Sequence, residues 1–71
     1  MPVTPDEIAT RFTYHPPKEG QLEKYESIRT QTRGLAEFMV AECPDSRELS
    51  LALTHLEQAV MWANAAIARR G

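Results

Sequence analysis

The sequence lacks most devices that stabilise a small protein or give it chemistry. Its single cysteine, Cys43, excludes a disulfide within the chain. Cys43, His15 and His55 show no close ligand spacing, so a structural metal is not expected. No apolar run approaches the roughly 20 residues that span a bilayer. MPVTPDEIATRF has neither the basic start nor the apolar core of a signal peptide. Together with an unpaired cysteine, this predicts a cytoplasmic protein that avoids membranes. A net charge of −2 and a pI near 5.6 leave no general basic excess. That argues against binding long nucleic acid, so any anion site has to be local.

What is present reads as helix. A chain of 71 residues makes one domain, residues 1–71. It buries only about 60% of its unfolded surface and needs a staple. With disulfides and metal set aside, self-association is the staple that remains. Four of the five prolines lie in the first 17 residues, and Pro44 stands in the middle. Residues 4–12 predict a short helix, with Thr4 as N-cap, Pro5 in the first turn and Glu7 completing a Thr-x-x-Glu capping box. Residues 13–20, TYHPPKEG, predict a loop.

Residues 21–43 predict a long helix whose seam is Leu22, Tyr25, Ile28, Thr32, Leu35 and Met39. Gly34 within it costs about 1 kcal/mol relative to alanine, which suggests close packing nearby. Cys43-Pro44-Asp45 breaks this helix, and Asp45 or Ser46 caps the next one. Residues 46–69 predict a second long helix with the seam Leu49, Leu53, Leu56, Val60, Ala63 and Ile67. The short connection makes the pair antiparallel. A second stripe, Ala52, His55, Ala59, Trp62 and Ala66, exceeds what one partner helix covers and reads as a surface for other subunits. The fold expected is therefore all-α: a short N-terminal helix plus an antiparallel hairpin of two long helices, assembling into a compact homo-oligomer.

Candidate chemistry is sparse. Cys43 falls at a helix C-terminus, where the macrodipole disfavours a thiolate. No Glu-x-x-His metal motif or acid–base pair is apparent, so no catalytic residue is assigned. The segment Arg11-Phe12-Thr13-Tyr14-His15-Pro16-Pro17-Lys18 concentrates aromatics and cations that suit stacked bases and phosphates. The same residues serve equally well to staple the loop while their charges stay solvated. Arg29 and Arg33, one turn apart, share a face and either hold a phosphate or pair with Glu26 and Glu37. Arg69 and Arg70 complement the dipole at the end of the last helix. Asn64 is out of place in an alanine-rich helix unless its amide is used.

Several elements taken together resemble a known family. These are Phe12-Thr13-Tyr14-His15-Pro16-Pro17, then Gln21, Tyr25 and Ile28-Arg29, then Cys43-Pro44-x-Ser46-Arg47-Glu48. The last is the run from Ser50 to Arg69, with Met61-Trp62-Ala63-Asn64-Ala65-Ala66-Ile67-Ala68-Arg69 its most specific part. They are similar to the second type of anti-CBASS protein, small phage proteins that defeat CBASS immunity by sequestering its nucleotide messenger. The resemblance covers roughly residues 12–69.

It implies a sponge, not an enzyme, that binds cyclic di- and trinucleotides intact and without a cofactor in the infected cell's cytoplasm. The messengers are of the cyclic GMP–AMP and cyclic tri-adenylate kinds. It also implies a hexamer of helical protomers, with dinucleotides between protomers and trinucleotides in separate pockets. Carried onto this sequence, Tyr14 stacks on a purine and Arg29 meets the phosphates. His15 and Lys18 are loop contacts. Arg69 contacts phosphate in a second pocket, and Asn64 provides a ligand amide or an inter-subunit hydrogen bond. Three other readings compete: a helical module docking on a host protein, a small phosphodiesterase, and a DNA-binding regulator that the acidic pI disfavours.

Overall fold

A computed structural model describes residues 3–71. It contains three helices, α1 (Pro5–Arg11), α2 (Gln21–Glu42) and α3 (Arg47–Arg70), and no strand among the described residues. The fold is all-helical. α2 and α3 pack along each other as a hairpin, and α1 lies across its open end, where the N-terminus of α2 meets the C-terminus of α3.

The boundaries follow from capping chemistry. Thr4 is extended, and its hydroxyl accepts from the Glu7 N–H at 3.1 Å. Only this half of the expected capping box forms, because the Glu7 carboxylate turns away to Arg11 and Arg70. Of the two caps considered for α3, the structure uses Ser46. Its hydroxyl accepts from the Leu49 N–H at 3.1 Å and donates to the Pro44 carbonyl at 3.0 Å, which locks the turn. Gly20 enters α2 at φ 82°, in the left-handed region where a Cβ is penalised.

Every member of the expected α3 seam is buried or half-buried, and Leu49 is the most enclosed apolar residue of the chain. The α2 seam is partly different. Tyr25, Ile28, Thr32 and Met39 are half-buried as the periodicity requires, but Leu22 and Leu35 are exposed and Gln21 and Ala36 turn inward. The inward positions Gln21, Tyr25, Ile28, Thr32, Ala36 and Met39 follow the 3.6-residue period of a straight helix, and the tighter apolar stripe departs from it at Leu22 and Leu35. Gly34 does not mark close packing within the chain, since a Cβ there would meet nothing. The second α3 stripe lies mostly in solvent, with Trp62 68% exposed.

The open end is fastened by a polar clip. Gln21 is only 6% exposed. Its side-chain carbonyl accepts from the Lys18 N–H at 2.8 Å, while its amide donates to the Ile67 carbonyl at 3.1 Å. The Gln21 N–H donates in return to the Lys18 carbonyl at 3.0 Å, and Lys18 Nζ donates to the Gly71 carbonyl at 2.9 Å. One side chain thus ties the loop before α2 to the end of α3, where the Ile67 carbonyl also accepts from the Gly71 N–H at 3.0 Å.

The chain is extended for its size. Its radius of gyration is 15.5 Å, against roughly 11 Å for a compact domain of this length. It exposes 5947 Å², where mass scaling predicts roughly 4,500 Å². The excess, roughly 1,500 Å², is about what a protomer loses to two interfaces of standard size.

The clip gives a direct prediction. Gln21→Ala strands the Lys18 N–H and weakens the join between α2 and α3, at a cost of about 1–3 kcal/mol in chemical denaturation. An unchanged midpoint would show that the clip contributes nothing to stability.

Candidate ligand hollow

Tyr14 and His15 owe their positions to the loop. Pro16 and Pro17 hold it extended, and His15 Nε2 donates to the Thr10 carbonyl at 2.7 Å, capping the end of α1. Because a carbonyl only accepts, Nε2 carries a proton and Nδ1 is the nitrogen left for other partners. Tyr14 is consequently presented with 80% of its surface in solvent.

Beneath this loop lies an open hollow of about 650 Å³, within the range of small-molecule sites. Thr13, Tyr14 and His15 form one wall. α2 contributes Leu22, Tyr25, Glu26 and Arg29, one face over two turns. α3 contributes Asn64, Ala65, Ala68 and Arg69, and the small alanines keep the floor low. Arg11 closes the rim from the end of α1. Five of the six residues singled out from the sequence meet here: Tyr14, His15, Arg29, Asn64 and Arg69.

Lys18 does not line the hollow, because its ammonium is drawn to the Gly71 carbonyl at the end of α3. Arg69 lines this hollow and also a neighbouring one of about 430 Å³, with Phe12, Trp62 and Arg70. Arg33 stands outside it, in a groove further along the hairpin.

The charges are mutually engaged. Arg29 donates to Glu26 at 2.7 Å, which is the surface-pair alternative for that arginine. Arg11 donates to Glu7 at 3.1 Å, and Arg70 bonds the same Glu7 oxygen. The Arg70 hydrogen bond first, and the Arg11 bond second, hold the Glu7 carboxyl below its ordinary value of 4.5. Arg69 takes part in no ion pair among the described residues. Asn64 Oδ1 is buried and finds no donor among the described residues. A buried acceptor without a partner is costly, and native proteins rarely retain one without use.

Sequence reasoning named Arg11 only as part of the aromatic and cationic segment 11–18, and passed over Leu22, Tyr25 and Glu26 as site residues. Tyr25 and Leu22 carried the helix seam, and Glu26 was only a partner for Arg29. The readable signal was that Leu22, Tyr25, Glu26 and Arg29 fall on one helical face, but the loop that roofs them has no periodicity to place it.

Among the described residues no group of three His, Cys, Asp or Glu side chains could hold a metal, and no helix is long and apolar enough to cross a membrane. The described residues form a small helical hairpin with an open, arginine-edged hollow at its clipped end. The comparison with known sequences agrees with that class: the model of the Acb2/Tad1 hairpin domain matches residues 4–68. The match spans nearly the whole chain, and the protein belongs to the Acb2/Tad1 hairpin family. Neither the curated proteins nor the solved structures provide a match.

The Glu7 triad predicts an acid transition. A lowered folded value means that the stabilisation is present above the unfolded value and is lost as pH falls through the folded one. α1 therefore stays docked at neutral pH and loosens below pH 4.5. Trp62, which shares a hollow with Glu7 and Phe12, reports this in its emission. Glu7→Gln should show the loosened spectrum already at pH 7, and emission that is identical to the parent protein's at every pH would refute the latch.

Proposed function

We propose that this protein binds and sequesters the cyclic di- and trinucleotide messengers of CBASS immunity without cleaving them, in the cytoplasm of a phage-infected bacterium. The observation that carries the reading is the convergence of Tyr14, Arg29 and Arg69 on one hollow. A cyclic dinucleotide presents two phosphates and two bases, so a few cations and one exposed ring suffice, and an acidic protein can supply them. Tyr14 stacks on a purine, Arg29 and Arg69 meet phosphate, and the amide of Asn64 answers a polar edge of the ligand or a neighbouring subunit. Nδ1 of His15 faces the same ligand. We assign Lys18 to holding the loop against α3.

Self-assembly belongs to the proposal. The excess surface and the uncovered Trp62 stripe support burial against other copies, and a symmetric assembly presents such half-sites in facing pairs. We take the assembly to be a hexamer. The neighbouring hollow, where Arg69 and Arg70 stand beside Trp62, is the place we assign to trinucleotides.

Titration calorimetry against cyclic di- and trinucleotides, followed by chromatography of the recovered ligand, tests this reading. Tight binding with intact ligand returned on denaturation supports a sponge. Cleaved ligand would make the protein an enzyme. No binding would leave the interaction module, docking its exposed α3 stripe on a host protein, as the better account. Tyr14→Ala should weaken messenger binding by about 1–3 kcal/mol per stacked base. Unchanged affinity in that variant would remove Tyr14 from the site.

A further inference from the structure

Among the described residues Glu26 is the only carboxylate lining the hollow, and it stands among Arg11, Arg29 and Arg69. A fixed negative charge there opposes an anionic ligand. In the free protein its Oε2 lies 2.7 Å from Arg29 Nη1, so it occupies the guanidinium best placed for phosphate beside Tyr14. Both side chains are largely exposed, at 69% for Glu26 and 65% for Arg29. Such a pair is weak and costs little to open. Glu26 also lines a second hollow on the outer side of α2, with Glu23, Ser27, Thr30 and Gln31. It therefore sits on the crest of the helix, with an outward position available in water when it leaves Arg29.

We infer that Glu26 is a displaceable counter-anion: it covers Arg29 in the empty hollow and swings to the outer side of α2 when a ligand phosphate takes its place. The inference rests on the messenger-binding reading of the same hollow. Its consequence is a threshold, equal for every ligand phosphate, that a ligand with further contacts clears more readily than one without. A ligand that offers Arg29 only one phosphate oxygen gains little over the carboxylate it replaces. A ligand that also stacks on Tyr14 and reaches Arg69 gains from contacts that Glu26 does not contest. Glu26 thus lowers occupation of the hollow by inorganic phosphate and mononucleotides while leaving a cyclic dinucleotide able to enter. Arg29 donates through one nitrogen to Glu26 but has the fork geometry to grip a phosphate through two, which gives the incoming anion its advantage.

The test compares the parent protein, Glu26→Gln and Tyr14→Ala by calorimetry with cyclic GMP–AMP and with AMP as probes. Helicity by circular dichroism verifies that each variant is folded. Glu26→Gln should bind both probes about two- to fivefold more tightly than the parent protein, the range set by the worth of an exposed ion pair. The second readout is the side-chain carboxyl carbon resonance of Glu26. On addition of cyclic GMP–AMP it should move, while that of Glu48, in the first turn of α3 at the other end of the hairpin, should not.

Equal or weaker binding by folded Glu26→Gln, with parent binding intact and Tyr14→Ala impaired, would overturn the counter-anion and leave the sponge standing. A Glu26 resonance that stays fixed while ligand saturates the protein would do the same. Absence of cyclic GMP–AMP binding by the parent protein would instead overturn the messenger reading for that ligand, and the counter-anion with it.

Discussion

The buried amide of Gln21 is the interaction on which the arrangement depends. It is the most enclosed polar side chain among the described residues, and it joins three segments: the loop at Lys18, the start of α2 and the end of α3 at Ile67. Without it the Lys18 N–H would lose its acceptor, and the Ile67 carbonyl would keep only the Gly71 N–H. The loop wall and the α3 floor of the hollow are tied together through this join and through the Lys18–Gly71 hydrogen bond beside it. A leucine of similar size would fill the space but satisfy neither backbone group.

Electrostatics at the site follow a different logic from the chain as a whole. The net charge of −2 would keep anions away if it were spread evenly. The fold gathers Arg11, Arg29 and Arg69 around one opening and leaves acidic residues such as Glu19, Glu37, Glu42 and Glu48 elsewhere on the surface. Glu7 and Glu26 then neutralise two of the three gathered arginines at close range. The result is a site whose cations are already oriented by carboxylates before a ligand arrives, with Arg69 bearing the uncompensated charge. Orienting charged groups in advance reduces the ordering cost of binding, while carboxylates that have to be displaced moderate the gain.

Helices and turn were legible because their signals are local. Thr4, Pro5, Pro44 and Ser46 mark ends by capping and by missing donors, and the α3 seam from Leu49 to Ile67 is strictly periodic. The α2 seam was less legible, because its apolar stripe and its contact line diverge at Leu22 and Leu35. Tyr14, His15, Arg29, Asn64 and Arg69 could be nominated by residue type and by family resemblance. Their meeting in one hollow could not be read, since it depends on how the loop crosses the hairpin. Lys18 illustrates the limit: its composition suggests a phosphate contact, yet the nearest strong acceptor in space is the Gly71 carbonyl, 53 residues along the chain. Gln21 illustrates it more sharply, because a glutamine at a helix start gives no sign that it will be buried.

The clip bridges residues 46 apart in sequence, whereas contacts beside Pro44 join near neighbours. Loop-closure entropy therefore favours zipping the hairpin from the turn outward, with the clipped end last to form and first to fray. Hydrogen-bonded amides in the α2 and α3 turns that follow the Ser46 cap in space should then exchange more slowly than those around Gln21 and Ile67. The hollow sits at this breathing end. A ligand held between the loop, α2 and α3 closes the fray it binds beside, so that the protein stiffens most where it was loosest, and its global resistance to unfolding rises with occupancy.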